Sequence, residues 1–203
     1  MKLGLQISSF TWSGGDAAIA DMFAGIVRAA DDAGFDSIWV MDHFFQLEPM
    51  LGEAEELTEQ LDDRRGRAWV RQHQAWVAFL SGDAALAEAR LLTAAQEFDL
   101  LGDRFGRGWA AGLLAYVRFY QRRFEEAEAL ALEVRRDSLE LGDPWAPAMM
   151  DSLIAAIHLW SSRFVEAEEL SRRALTSFRQ IGDKFGVVQA LAPRMRALVA
   201  LGR

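Results

Sequence analysis

"LGDRFGRGWA" (residues 101–110) returns as "LGDPWAPAMM" (141–150) and again as "IGDKFGVVQA" (181–190), in steps of 40 residues. A second set keeps the same step in another phase: "GDAALAEARLL" starts at Gly82, "RRFEEAEALAL" at Arg122 and "SRFVEAEELSR" at Ser162. Self-similarity at a fixed period is the signature of a repeat array, in which each unit buries its apolar face against its neighbours.

Each unit reads as two helices. In the second unit, Trp109, Leu113, Tyr116, Val117 and Tyr120 form one apolar stripe, and Phe124, Ala127, Leu130, Ala131 and Val134 form another. Both follow helical spacing, so the unit is a helix hairpin. Gly102, Gly142 and Gly182 stand where a helix closes on a residue of positive φ, and Asp103, Asp143 and Asp183 stand ready to cap the next helix. Pro144 falls near a first turn, where a missing N–H is tolerated, whereas Pro193 inside the last helix is expected to kink or weaken it. The fold class is therefore mostly α, a helix-hairpin solenoid over residues 64–203 with three helix pairs and one terminal helix.

Small residues recur at matching phases, Ala75, Ala115 and Ala155 in the first helices and Ala87, Ala127 and Ala167 in the second, as close helix approach requires. With Phe124 and Phe164 opening second helices, this pattern resembles the tetratricopeptide repeat, although Ala84 departs from it. The family's period is ~34 residues, so the 40-residue step implies longer helices, as in repeats attached to bacterial signalling and transcription regulators. In such arrays the first helix of each pair lines the concave side. That register places Trp76, Tyr116, Tyr120 and Trp160 on or near the concave surface as anchors for a protein or peptide partner. The competing expectation is that the same rings pack between neighbouring first helices.

Residues 1–52 have a different texture. Leu3, Leu5 and Ile7 alternate with polar or small residues as in a strand, and "SFTWSGGD" supplies a turn. Ile19, Met22, Phe23, Ile26, Val27 and Ala30 form a helical stripe ending at Gly34, and "SIWVM" reads as a second strand. The result is a small N-terminal βαβ unit. "MKLGLQISSFTW" and "AADDAGFDSIWVMDHFF" resemble the start of the luciferase-like monooxygenases, especially the deazaflavin-dependent oxidoreductases. That resemblance implies an incomplete (β/α)-barrel fragment, with Asp42 and His43 matching the family's Asp-His pair at a strand's C-terminal end. A full barrel takes ~250 residues, and no later strand–helix alternation supplies the remainder. Residues 53–63, acidic and then basic, read as a linker or bridging helix.

Composition removes several function classes. Residues 1–50 hold two basic and seven acidic side chains, −5 of the chain's −8, so no direct nucleic-acid partner and no anionic membrane surface is expected. No uncharged apolar run reaches the ~20 residues that span a bilayer, and no signal-peptide layout opens the chain. The absence of cysteine fits a cytoplasmic setting and excludes thiolate sites. His73 and His158 lack ligand partners at a consistent spacing, so no metal is expected. No phosphate-cradling loop or nucleophile motif occurs. The resulting expectation is a noncatalytic interaction module of helical repeats, for which a fragment or fusion product is one origin, with no catalytic residue and no cofactor. The alternatives are a deazaflavin-dependent oxidoreductase acting through Asp42 and His43, and the repeat region of a bacterial transcription regulator. Self-association through the βαβ unit is one way its open strand edges would be covered.

Overall fold

A computed structural model describes residues 4–7, 18–40 and 44–203. The molecule is mostly α-helical and divides into two compact units, Met1–Glu53 and Ala54–Arg203.

In the first unit, β1 (Gly4–Ile7) and β2 (Ser37–Val40) pair in parallel, Gly4 opposite Ser37 and Ile7 opposite Val40, with α1 (Ile19–Asp32) between them in sequence. Ala30 is buried, and Phe23, Ile26 and Val27 are half-buried on the same face of α1. Gly34 adopts φ +78 where α1 gives way to the turn. The pairing is four residues long, and no third strand joins it among the described residues. The barrel-like βαβ unit expected from sequence is thus reduced to a short strand pair, because two strands of this length provide no face broad enough to build a core.

The helices that follow are α2 (Phe44–Gln60), α3 (Arg64–Leu80), α4 (Ala84–Leu100), α5 (Arg104–Tyr120), α6 (Phe124–Glu140), α7 (Ala146–Trp160), α8 (Phe164–Ile181) and α9 (Lys184–Ala200). The segment 53–63 is the end of α2 and the turn after it. The bounds of α2 stand one 40-residue step before those of α4, so α2 has the register of a second helix. Thr58 occupies the position that Phe98 and Phe178 hold further along, each beside the first turn of the next helix.

The turns divide the period into halves. Positive φ falls on Asp62, Gly82, Gly102, Arg122, Gly142, Ser162, Gly182 and Gly202, one residue in every twenty. At Gly102 the Asp103 N–H reaches back to the Phe98 carbonyl at 2.8 Å and the Gly102 N–H to Asp99 at 3.0 Å. These two bonds satisfy carbonyls that the helix end would otherwise leave open. Asp63, Asp83, Asp103 and Asp183 then cap the next helices through their carboxylates, while Arg123 and Arg163 occupy that place without a side-chain cap. Helix α7 starts two residues late. Asp143 accepts from the Trp145 and Ala146 N–H groups at 2.8 and 3.2 Å, and Pro147 follows in the first turn.

Sequential helices pack in pairs, and first helices touch one another from α3 to α5, α5 to α7 and α7 to α9. No contact of that size joins α4, α6 and α8 to one another, so the first helices form the more closely packed, inner layer of the array. Ala75, Ala87, Ala115, Ala127, Ala155 and Ala167 are fully buried, as close approach of paired helices requires. Two cores result, one around α3, α4 and α5 and one from α5 to α9, with Tyr116 and Leu130 packed against both. Helix α9 continues through Pro193, which is buried at the register of Leu113 and Leu153. Packing there holds the turn that proline would otherwise disrupt.

Candidate interaction surface

The inner helices carry two aromatic rows. At their C-terminal ends the chain of rings runs from Trp76 to Phe79 (5.8 Å between centroids) and from Phe79 edge-on to Tyr120 (5.2 Å). Phe119 then contacts Tyr120 at 5.4 Å and Phe124 at 5.7 Å, and Phe124 lies against Trp160 at 6.2 Å. Leu80, Tyr120 and Trp160 are the same register position in successive units and are 47%, 67% and 56% exposed. The Arg122 guanidinium lies over the Trp160 ring at 5.3 Å, a cation–π contact that steadies the indole's exposed side.

The second row lies at the N-terminal ends of the same helices. Trp69 meets Phe98 edge-on at 5.0 Å and Phe105 at 6.4 Å, Phe105 meets Trp109 at 6.2 Å, and Trp109 stacks on Trp145 at 5.1 Å and 8°. Trp145 donates from Nε1 to Asp183 at 2.6 Å. Burial would raise the Asp183 pKa, but N–H donors from Gly186, Trp145 and Phe185 hold it below its ordinary value. Sequence reading passed over this row, although Phe105, Trp145 and Phe185 keep the 40-residue phase inside the three opening stretches.

The four ring positions expected as partner contacts have different surroundings. Tyr120 and Trp160 are exposed, and Trp76 stands at the edge of exposure. Tyr116 is half-buried between the two cores and donates to the Met149 carbonyl at 3.3 Å. Burial, with nearby Tyr120, pushes its hydroxyl pKa up. Asp42 and His43 lie outside the described residues.

Charged joints repeat beside the rings. Glu88 accepts from Arg123 at 2.8 Å and Gln121 at 3.1 Å, and its register mate Glu128 meets Arg163 and His158, each at 2.8 Å. Each glutamate therefore ties a second helix to the end of the next hairpin's first helix. At Glu128 burial works to raise the pKa, and the hydrogen bonds from Arg163 and His158 outweigh it, leaving the carboxyl below its ordinary range. A further joint buries Asp151 between Arg135 at 2.7 Å and Arg173 at 2.6 Å. Among the described residues no group of three or more His, Asp or Glu is arranged to hold a metal ion, and no helix is long and apolar enough to cross a membrane.

Fold and surface define a helical array whose inner helices present stacked aromatic side chains. No family model and no curated protein matches the chain. Among solved structures it is similar to BtubC (BKLC) from P. vanneervenii, with 14% identity and a TM-score of 0.58 over 91% of this chain and 82% of that one. At this identity the likeness concerns the fold alone.

Proposed function

We propose that the array is a tetratricopeptide-like interaction module that holds a protein or peptide partner on its inner aromatic rows. The observation that carries this reading is the register position of Leu80, Tyr120 and Trp160, where a large apolar side chain stays exposed in three successive units. Helix-facing apolar positions are normally covered, and rings held in place by their neighbours bury large area on binding while losing little conformational freedom. The test is selection of displayed peptides on the whole chain, with a Tyr120→Ser/Trp160→Ser variant as the comparison. Peptides enriched on the native chain and lost on the variant support the reading. Enrichment that ignores both residues, with the variant folded by circular dichroism, removes it.

The parallel strand pair favours a second reading, a remnant of a luciferase-like deazaflavin-dependent oxidoreductase. Such a coenzyme would sit at the C-terminal strand ends, beside Asp42 and His43. The cleft described in this unit is lined by Arg28, Asp31, Asp36, Ser37 and Ile38, at the opposite end of β2. Fluorescence titration with the deazaflavin coenzyme tests this reading. Saturable binding lost in His43→Ala favours it, and flat titration dismisses it.

A further inference from the structure

Arg122 stands in a turn where the array otherwise uses small residues. The turns from a first to a second helix put positive φ on Gly82, Arg122, Ser162 and Gly202, and Arg122 adopts φ +62. A long side chain is disfavoured in that region and persists where something else fixes it. Its guanidinium lies 5.3 Å from the centroid of the Trp160 ring, and Tyr120 ends the helix just before it. Arg122 makes no ion pair among the described residues, although Arg118, Arg123 and Arg163 at the neighbouring joints are taken up by Glu88, Glu126 and Glu128. Two donors are free as well. The Tyr116 hydroxyl and the Trp145 N–H go to Met149 and Asp183, whereas the Tyr120 hydroxyl and the Trp160 N–H meet no acceptor among the described residues. Tyr120, Arg122 and Trp160 thus form a patch of two exposed rings and one unspent cation, on the second and third hairpins with α3, α4, α8 and α9 to either side in the array.

We infer that this patch selects acidic peptides: the partner lays apolar side chains on Tyr120 and Trp160 and a carboxylate on Arg122. The inference rests on the function proposed above and names the partner's chemistry at that same surface. A guanidinium lying flat on an indole leaves its N–H edge open, and that edge meets a carboxylate with two parallel N–H···O bonds. Tyr120 and Trp160 hold one register position on α5 and α7, which touch. Packed helices stand ~8–10 Å apart, the span of about three residues of extended chain. The fitting peptide therefore has apolar residues about that far apart, with Asp or Glu beside the one that meets Trp160. The turn closes equally with Gly82, Ser162 and Gly202, so the fold does not require the charge at 122.

The test is selection of displayed random peptides on the whole chain, followed by fluorescence anisotropy of the enriched peptides after synthesis. Peptides lost on Tyr120→Ser/Trp160→Ser should be rich in Asp or Glu. Their affinity should fall roughly threefold or more with Arg122→Gln and hold with Arg122→Lys, and added salt should weaken binding to the native chain more than to Arg122→Gln. Selection on Arg122→Glu should exchange the acidic residues for Lys or Arg. Arg122 is exposed and none of these changes alters the backbone freedom of the turn, so each variant should keep the native circular dichroism. Peptides that need Tyr120 and Trp160 but carry no excess of carboxylates, or bind Arg122→Gln as tightly as the native chain, overturn the inference and leave the proposed function standing. Equal weakening by Arg122→Gln of acidic peptides and of their Asn and Gln versions also overturns it, by confining Arg122 to steadying Trp160. Peptides that ignore Tyr120 and Trp160 overturn both readings.

Discussion

Ser162 sits at φ +58 in a turn whose counterparts at 82, 102, 142 and 182 are glycine. A side chain in the left-handed region costs roughly 1–2 kcal/mol, partly offset by the freedom glycine loses on folding. Ser162→Gly should therefore raise stability by up to ~1 kcal/mol, and Gly102→Ala should lower it by about as much; thermal melts of the two variants should move in opposite directions. A second constraint acts at Gly106, where an added methyl would overlap the Phe98 ring, as one at Gly186 would overlap Phe178. The intermediate unit has Ser138 and Ala146 at these register positions. Gly106→Ala should cost ~1–3 kcal/mol by overpacking. Combining it with Phe98→Ser should cost less than the sum of the single changes, because the serine vacates the space the methyl needs. A double-mutant cycle in urea measures that coupling.

Between elements, the Glu88 and Glu128 joints set a pH dependence. Both carboxyls are held below their ordinary value of 4.5 in the folded chain. Stability from such a group is fully present above the unfolded pKa and is lost as pH falls through the lower folded one. Melting temperature should accordingly drop as pH is lowered below ~4.5, and Glu128→Gln should flatten part of that drop while lowering stability at neutral pH. A melting series from pH 7 to 3 on both proteins gives the comparison. An unchanged acid limb would mean that the Arg163 and His158 contacts contribute nothing to holding α6 to its neighbours. The helix turns at this scale were legible in advance because capping is local: glycine and aspartate announce each end of a second helix. The turns at Arg122 and Ser162 were not legible as the same motif, since their residues carry no preference for positive φ, and α2 was hidden behind a stretch with too few apolar residues to declare its face.

For the molecule as a whole, the array unit begins at Ala54, ahead of the first helix pair. Gln74 on α3 donates to Glu55 on α2 at 2.8 Å, and Thr58 lies against the first turn of α3. A fragment of residues 54–203 should melt cooperatively close to the whole chain, whereas one starting at Arg64 should melt lower, because α3 then loses those contacts. Scanning calorimetry of the two fragments decides this, and equal melting points would exclude α2 from the array. By itself the sequence determined the 40-residue period, the hairpin in each unit and the buried alanines, because backbone dihedrals and close helix approach constrain residue type position by position. Only the tertiary structure decided that the rings of three units join into continuous rows, that Tyr116 turns into the cores while Tyr120 stays outside, and that Arg122 comes to lie on Trp160. Those outcomes depend on which helices come to lie side by side, and a helical stripe reads the same in sequence whether or not a neighbour covers it.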